Sequence, residues 1–145
     1  MGDVYGIHVT NIHARTNAAI TLNEKICDSY FGNIYASDGV DRVITTKSCR
    51  THQTYGADMR NVIFENIFYD CKENDNSVAF DFDENIGAHT LENVFIRNAF
   101  IGNANVAIDM KHRGTLTVNG LYGESVRNKI PHTECGKIFL DGEEI

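Results

Sequence analysis

Two aspartates, Asp81 in SVAFDF and Asp109 in NVAIDM, occupy equivalent places in two similar stretches of the chain. Successive side chains of an extended strand point to opposite faces, so with Phe80, Phe82, Ile108 and Met110 turned inward both carboxylates face outward. On adjacent strands they would stand about 4.8 Å apart. Carboxylates that close raise one another's proton affinity, and glycosidases work with carboxyl pairs separated by roughly 5–9.5 Å. Asp81 and Asp109 are therefore the candidate catalytic acid and base.

Asp83, Lys111, His112 and His89 lie close enough in sequence to complete such a site as substrate-binding groups. The same alternation turns Ile20, Leu22, Ile138 and Leu140 inward and extends the outward column to Thr21, Thr45 and Asp141, with Asn23, Lys47, Asp83 and Lys111 beside it. Two other readings stay open. The column is also what a solvated acidic strip looks like in a chain of net charge −7, and acidic clusters can hold calcium through carboxylate oxygens. No other cofactor and no metal-ligand spacing is indicated.

Further candidates come from TKSCRTHQTYGADMR (46–60), where Arg50, His52, Tyr55 and Arg60 suit a sugar or uronate, and from KENDNS (72–77). Both stretches read equally well as ordinary solvated loops.

These residues need a frame, and the asparagines supply one. IHVTNIHA, SYFGNIYA, VIFENIFY, VFIRNAFI and LTVNGLYG place Asn11, Asn33, Asn66, Asn98 and Asn119 at steps of 22, 33, 32 and 21 residues. Two steps fit one basic period and two exceed it by about half, as loops would make them. After each Asn comes a second strand-like run: AAITL (18–22), RVITT (42–46), SVAFDF (77–82), NVAIDM (105–110) and KIFLD (137–141). The 25 Ile and Val against 5 Leu, with 15 Asn and a single Pro, favour strands and tight turns throughout.

Short strands recurring at this period without a helical crossover predict an all-β chain, a single-stranded parallel β-helix of about five coils. At the corner between two strands Asn tolerates the left-handed conformation better than any other non-Gly residue. Stacked coils would bring the five amides into an asparagine ladder in which each bonds the next.

At these residues the sequence resembles the right-handed parallel β-helix superfamily of pectin lyases, pectate lyases and polygalacturonase-like glycoside hydrolases, over roughly residues 4–123 with a last strand near 137–142. The resemblance implies action on, or binding of, a polysaccharide or oligosaccharide, and a secreted or cell-surface parent protein. A non-catalytic scaffold of the adhesin or tail-fibre kind shares the same coil pattern. The hydrolases carry Asn-Thr-Asp, Asp-Asp, Gly-His-Gly and Arg-Ile-Lys on successive coils. None of these strings occurs here, GAH at 87–89 being the nearest, so the resemblance transfers no catalytic residue. Members are usually longer and often capped at the N-terminal end. The expectation is a single domain that forms the later coils of a larger protein; the alternative is a whole chain whose open ends are buried by homo-oligomerisation.

Composition narrows the partners. A pI near 5.2 argues against a nucleic-acid backbone, no apolar run reaches the ~18 residues of a membrane span, and MGDVYGIHVT lacks the basic and apolar parts of a signal peptide. Cys27, Cys49, Cys71 and Cys135 form no CxxC pair. Cys27 and Cys49 each follow a corner Asn by 16 residues, which would stack them on adjacent coils as small buried thiols or as a disulfide.

Overall fold

Left-handed residues, nearly all asparagine, recur five apart within the strands Ile26–Ala36, Met59–Phe82 and Thr90–Met110, and this spacing organises the fold. The computed structural model describes residues 3–37, 39–46, 57–82 and 86–145, with the side chains of all of these except 72–75. Ten strands form one large sheet: β1 (Val4–Tyr5), β2 (His8–Ala14), β3 (Asn17–Thr21), β4 (Ile26–Ala36), β5 (Val40–Thr45), β6 (Met59–Phe82), β7 (Thr90–Met110), β8 (Arg113–Tyr122), β9 (Gly136–Leu140) and β10 (Glu143–Glu144). A single 3-10 turn, Val126–Lys129, is the only helical element among the described residues, so the chain is all-β as expected.

Pairing is parallel everywhere except at the end. β4 receives β1 and β2, β5 receives β3, and both β4 and β5 pair with β6, which pairs with β7, then β8, then β9. β10 turns back antiparallel on β9 through Asp141 and Gly142, with φ 51° and 89°. Two successive positive φ values in an Asp-Gly pair are what a tight two-residue hairpin of this type requires.

Within β6, Asn61 and Asn66 have φ 55° and 54°; within β7, Asn93, Asn98 and Asn103 have φ 51°, 52° and 54°; within β4, Asp28 and Asn33 have φ 50° and 52°. Each left-handed residue resets the alternation. Val62 and Phe64 are buried, Asn66 is exposed, and burial resumes at Ile67 and Tyr69, so two residues rather than one separate Phe64 from Ile67. The core formed this way is continuous from Ile20 to Leu140, with Phe31 stacked on Phe64 at 5.4 Å. Ile20, Leu22, Phe80, Phe82, Ile108, Met110, Ile138 and Leu140 all face it, as the alternation requires.

Side-chain amides join across the passes. Asn33 donates to Asn11 (3.3 Å), Asn66 to Asn33 (3.2 Å) and Asn98 to Asn66 (2.9 Å). The fifth position differs from expectation. Arg97 is in register with Asn119 and Ala99 with Leu121, so the residue beside Asn98 is Gly120, φ 75°. Asn119 stands one place earlier because either residue of the Asn-Gly pair can make the corner and the β7–β8 register selects the glycine.

The pairing of β9 also differs. KIFLD was expected beside the run that contains Asp109, but Gly136–Leu140 is in register with Gly114–Val118, the stretch before the corner. Asp141 therefore lies beside Gly120, whose N–H donates to its Oδ1 at 2.7 Å, and is not a member of the acidic column.

Candidate functional site

Asp81 and Asp109 are register partners on β6 and β7, as the repeat predicts. Their surroundings differ from the open column expected of them. Asp81 is 5% exposed because Arg42, reaching from β5, donates from Nε to its Oδ2 at 2.7 Å. Thr45, beside Asp81 in register, is buried as well. Asp109 keeps partial exposure and accepts from Lys111 Nζ at 2.9 Å. Each carboxylate thus has its own cation, an arrangement that neutralises the pair without bringing in a substrate.

His112 turns inward rather than toward a substrate. It is wholly buried, with Nδ1 3.1 Å from the Phe82 carbonyl oxygen and Nε2 2.9 Å from that of Ala57. Each ring nitrogen faces a backbone carbonyl oxygen, whereas the sequence pattern groups His112 with the substrate-binding residues. His89 lies above it, ring centroids 5.7 Å apart, with Nδ1 3.7 Å from Asp58 Oδ1. Asp83, Arg50 and His52, together with Tyr55, Lys47 and Cys49, lie outside the described residues. Arg60 is half-buried in β6, its Nε without a hydrogen-bond partner, and it shares a register position with Cys27. Cys27 is flanked by Tyr5 and Arg60, and Cys27, Cys71 and Cys135 are free thiols.

A feature the sequence reading passed over runs along the outer face. Two residues after each member of the file Asn11, Asn33, Asn66, Asn98 and Gly120 stands an aromatic ring: His13, Tyr35, Phe68, Phe100 and Tyr122. Tyr35 and Phe68 stack at 5.0 Å with planes 5° apart, Phe68 and Phe100 at 5.1 Å and 13°, and His13 leans on Tyr35 at 5.7 Å. Tyr35, Phe68, Phe100 and Tyr122 remain 45%, 38%, 39% and 57% exposed. The faces of Tyr35, Phe68 and Phe100 cover one another, so this part of the strip presents ring edges to solvent.

No family model matches the chain, and no curated protein and no solved structure matches it.

The strip has polar borders. On one side runs the row Asn33, Asn66, Asn98; in each interior amide one N–H and one lone-pair site serve the row, and the second N–H points elsewhere. On the other side Asp70 accepts from Asn103 at 2.8 Å. A second row, Asn93 to Asn61 (3.1 Å) and Asn61 to Asp28 (2.7 Å), lies five residues upstream. Between the two rows Tyr30 donates to Glu65 at 2.8 Å; that bond to a carboxylate pushes the Tyr30 hydroxyl above its ordinary proton affinity. The repeated strings NIHA, NIYA, NIFY and NAFI carried the aromatic signal, and N-x4-N in β6 and β7 carried the second row.

Proposed function

We propose that the chain is part of a right-handed parallel β-helix of the pectin lyase-like superfamily and that it binds a polysaccharide along its outer face. Supporting the fold reading are the parallel passes β4–β6–β7–β8 and the file of bonded amides at left-handed corners, which together act as an asparagine ladder. The binding reading is carried by one observation: the exposed aromatic strip Tyr35–Phe68–Phe100 bordered by amides with an unused N–H. Sugars offer apolar C–H patches between hydroxyls, and ring edges beside amide donors complement both. A parent protein outside the cell is part of the same reading.

Cleavage by Asp81 and Asp109 is the weaker form of this proposal, because substrate would first have to displace Arg42 and Lys111 from the carboxylates. Those two ion pairs instead favour a second reading, a structural β-helix segment with a closed, internally neutralised face.

Binding of polygalacturonate, rhamnogalacturonan and xylan by calorimetry, with release of reducing ends followed in parallel, separates these readings. Expected is binding to at least one polymer, weakened roughly tenfold by Phe68→Ser, the equivalent of ~1.4 kcal/mol, and left unchanged by Asp109→Asn. Reducing-end release lost in Asp81→Asn and Asp109→Asn would move the site to the acidic column. No binding to any polymer would leave the structural reading.

A further inference from the structure

The environment of His112 is unusual in a way that goes beyond sugar binding. Its ring is wholly buried, and each nitrogen faces a backbone carbonyl oxygen within hydrogen-bond distance, Phe82 at 3.1 Å and Ala57 at 2.9 Å. A carbonyl oxygen only accepts, and a neutral imidazole has one N–H and one lone pair. A neutral ring would therefore press a lone pair against one of the two oxygens. Only the imidazolium donates to both.

We propose that His112 is a proton-dependent staple, doubly protonated in the folded chain, that ties both ends of β6 to the connection between β7 and β8. The geometry of the three segments makes the staple effective. Ala57 precedes β6, Phe82 closes it, and His112 follows β7 by two residues. Lys111 N–H donates to the same Phe82 oxygen at 3.0 Å, and a neutral ring, which keeps one N–H, must give up either that oxygen or the Ala57 oxygen.

Among the described residues, several titratable groups bear on the ring. From the segment before β7, the His89 ring lies tilted by 39° at 5.7 Å; from the segment before β6, Asp58 sits 3.7 Å from His89 Nδ1. From the segment before β9, the Cys135 thiol reaches the Lys111 and His112 carbonyls at 3.0 and 3.5 Å. Lys111 and Arg113 are its chain neighbours, the former held by Asp109. Asp58 favours the cation, whereas Arg113, Lys111 and a protonated His89 oppose it. Burial opposes it too, and the two charge-assisted bonds offset that burial.

The direction of the pH effect follows. A histidine protonated more readily in the folded than in the unfolded chain contributes stability that is complete below the free-imidazole value of about 6.5 and lost as pH rises through the folded midpoint. The staple tightens in acid and loosens in alkali.

The test is a pH series of long-range nitrogen–proton spectra on the whole chain with labelled histidines, from well below to well above about 6.5. Expected are two N–H signals from His112 and a midpoint above that value, separate from His89. A single neutral tautomer at neutral pH, or a midpoint at or below the free value, overturns the proposal. Denaturation of His112→Gln gives a second readout, since glutamine supplies only one well-placed donor. Its folding constant should fall about tenfold more on the acid side than on the alkaline side for each pH unit of displaced midpoint. Should this variant not fold, the spectra of the unaltered chain decide alone. Loss of the pH dependence in His89→Gln, with His112 unchanged, would assign the effect to His89 and overturn the staple.

Discussion

Arg42 Nε lies 2.7 Å from Asp81 Oδ2, bridging β5 and β6, and the Asp81 side chain is 7% exposed while that of Arg42 is 25% exposed. A carboxylate this covered depends on its cation. Removing one partner of a buried pair leaves a charge without compensation, whereas removing both can be nearly neutral.

Arg42→Ala should therefore cost about 3 kcal/mol, the lower end of the range for buried pairs because Arg42 keeps contact with water. The double change Arg42→Met with Asp81→Leu should recover most of that loss. Urea unfolding of the three chains checks this. Equal costs for single and double changes would mean that the two side chains are not coupled.

The amide row makes a different prediction, in which backbone and side chain can be separated. Asn66 has φ 54°, donates to Asn33 and accepts from Asn98. Asn66→Gly keeps the left-handed backbone and loses the two bonds, at about 1–2 kcal/mol. Asn66→Ala adds ~1–2 kcal/mol of left-handed strain. The order of unfolding midpoints should be wild type, then glycine, then alanine; alanine equal to glycine would remove the backbone term from the account.

What could be read from the sequence follows from what is local. Inward positions such as Phe80, Ile108 and Leu140 were legible because a strand's alternation is a property of neighbours. Corner asparagines were legible because few residue types accept a positive φ. Register was not. Asn119 and Gly120 both suit a corner, and only pairing with β7 chooses between them; KIFLD has the pattern of any strand, and nothing local to it says that its partner is Gly114–Val118. Arg42 covers Asp81 from 39 residues away, so an aspartate that looks outward by alternation is nevertheless buried. His112 carried no apolar pattern to mark it as interior.

Tyr69 links stability to alkaline pH. It is wholly buried, donates to the Val40 carbonyl at 2.6 Å, and burial first, then a hydrogen bond involving Cys71, pushes its phenol far above the ordinary value. The unfolded chain releases this proton near about pH 10 and the folded chain does not, so stability falls as pH rises past about 10. Tyr69→Phe should flatten that decline while costing ~1–3 kcal/mol at neutral pH, because the Val40 oxygen is left buried without a donor. Urea midpoints across an alkaline series measure both effects, and an unchanged slope would remove Tyr69 as its source.

Gly120 offers a place where the amide row can be extended. It occupies the register position beside Asn98, has φ 75°, and its N–H is held by Asp141 Oδ1. A side chain added there meets first the Tyr122 hydroxyl at 3.1 Å, the far end of an exposed ring that can give way. Asparagine tolerates the left-handed region, reduces the freedom of the unfolded chain relative to glycine, and places an N–H where the Asn98 oxygen can accept it. Gly120→Asn should therefore raise stability by about 0.5–1 kcal/mol, the sum expected for a small entropic gain and one partly exposed hydrogen bond. Gly120→Ala, which brings the strain without the amide, should lower it. Chemical denaturation of both decides the matter: if asparagine and alanine destabilise alike, the row ends at Asn98 for a reason other than the missing amide.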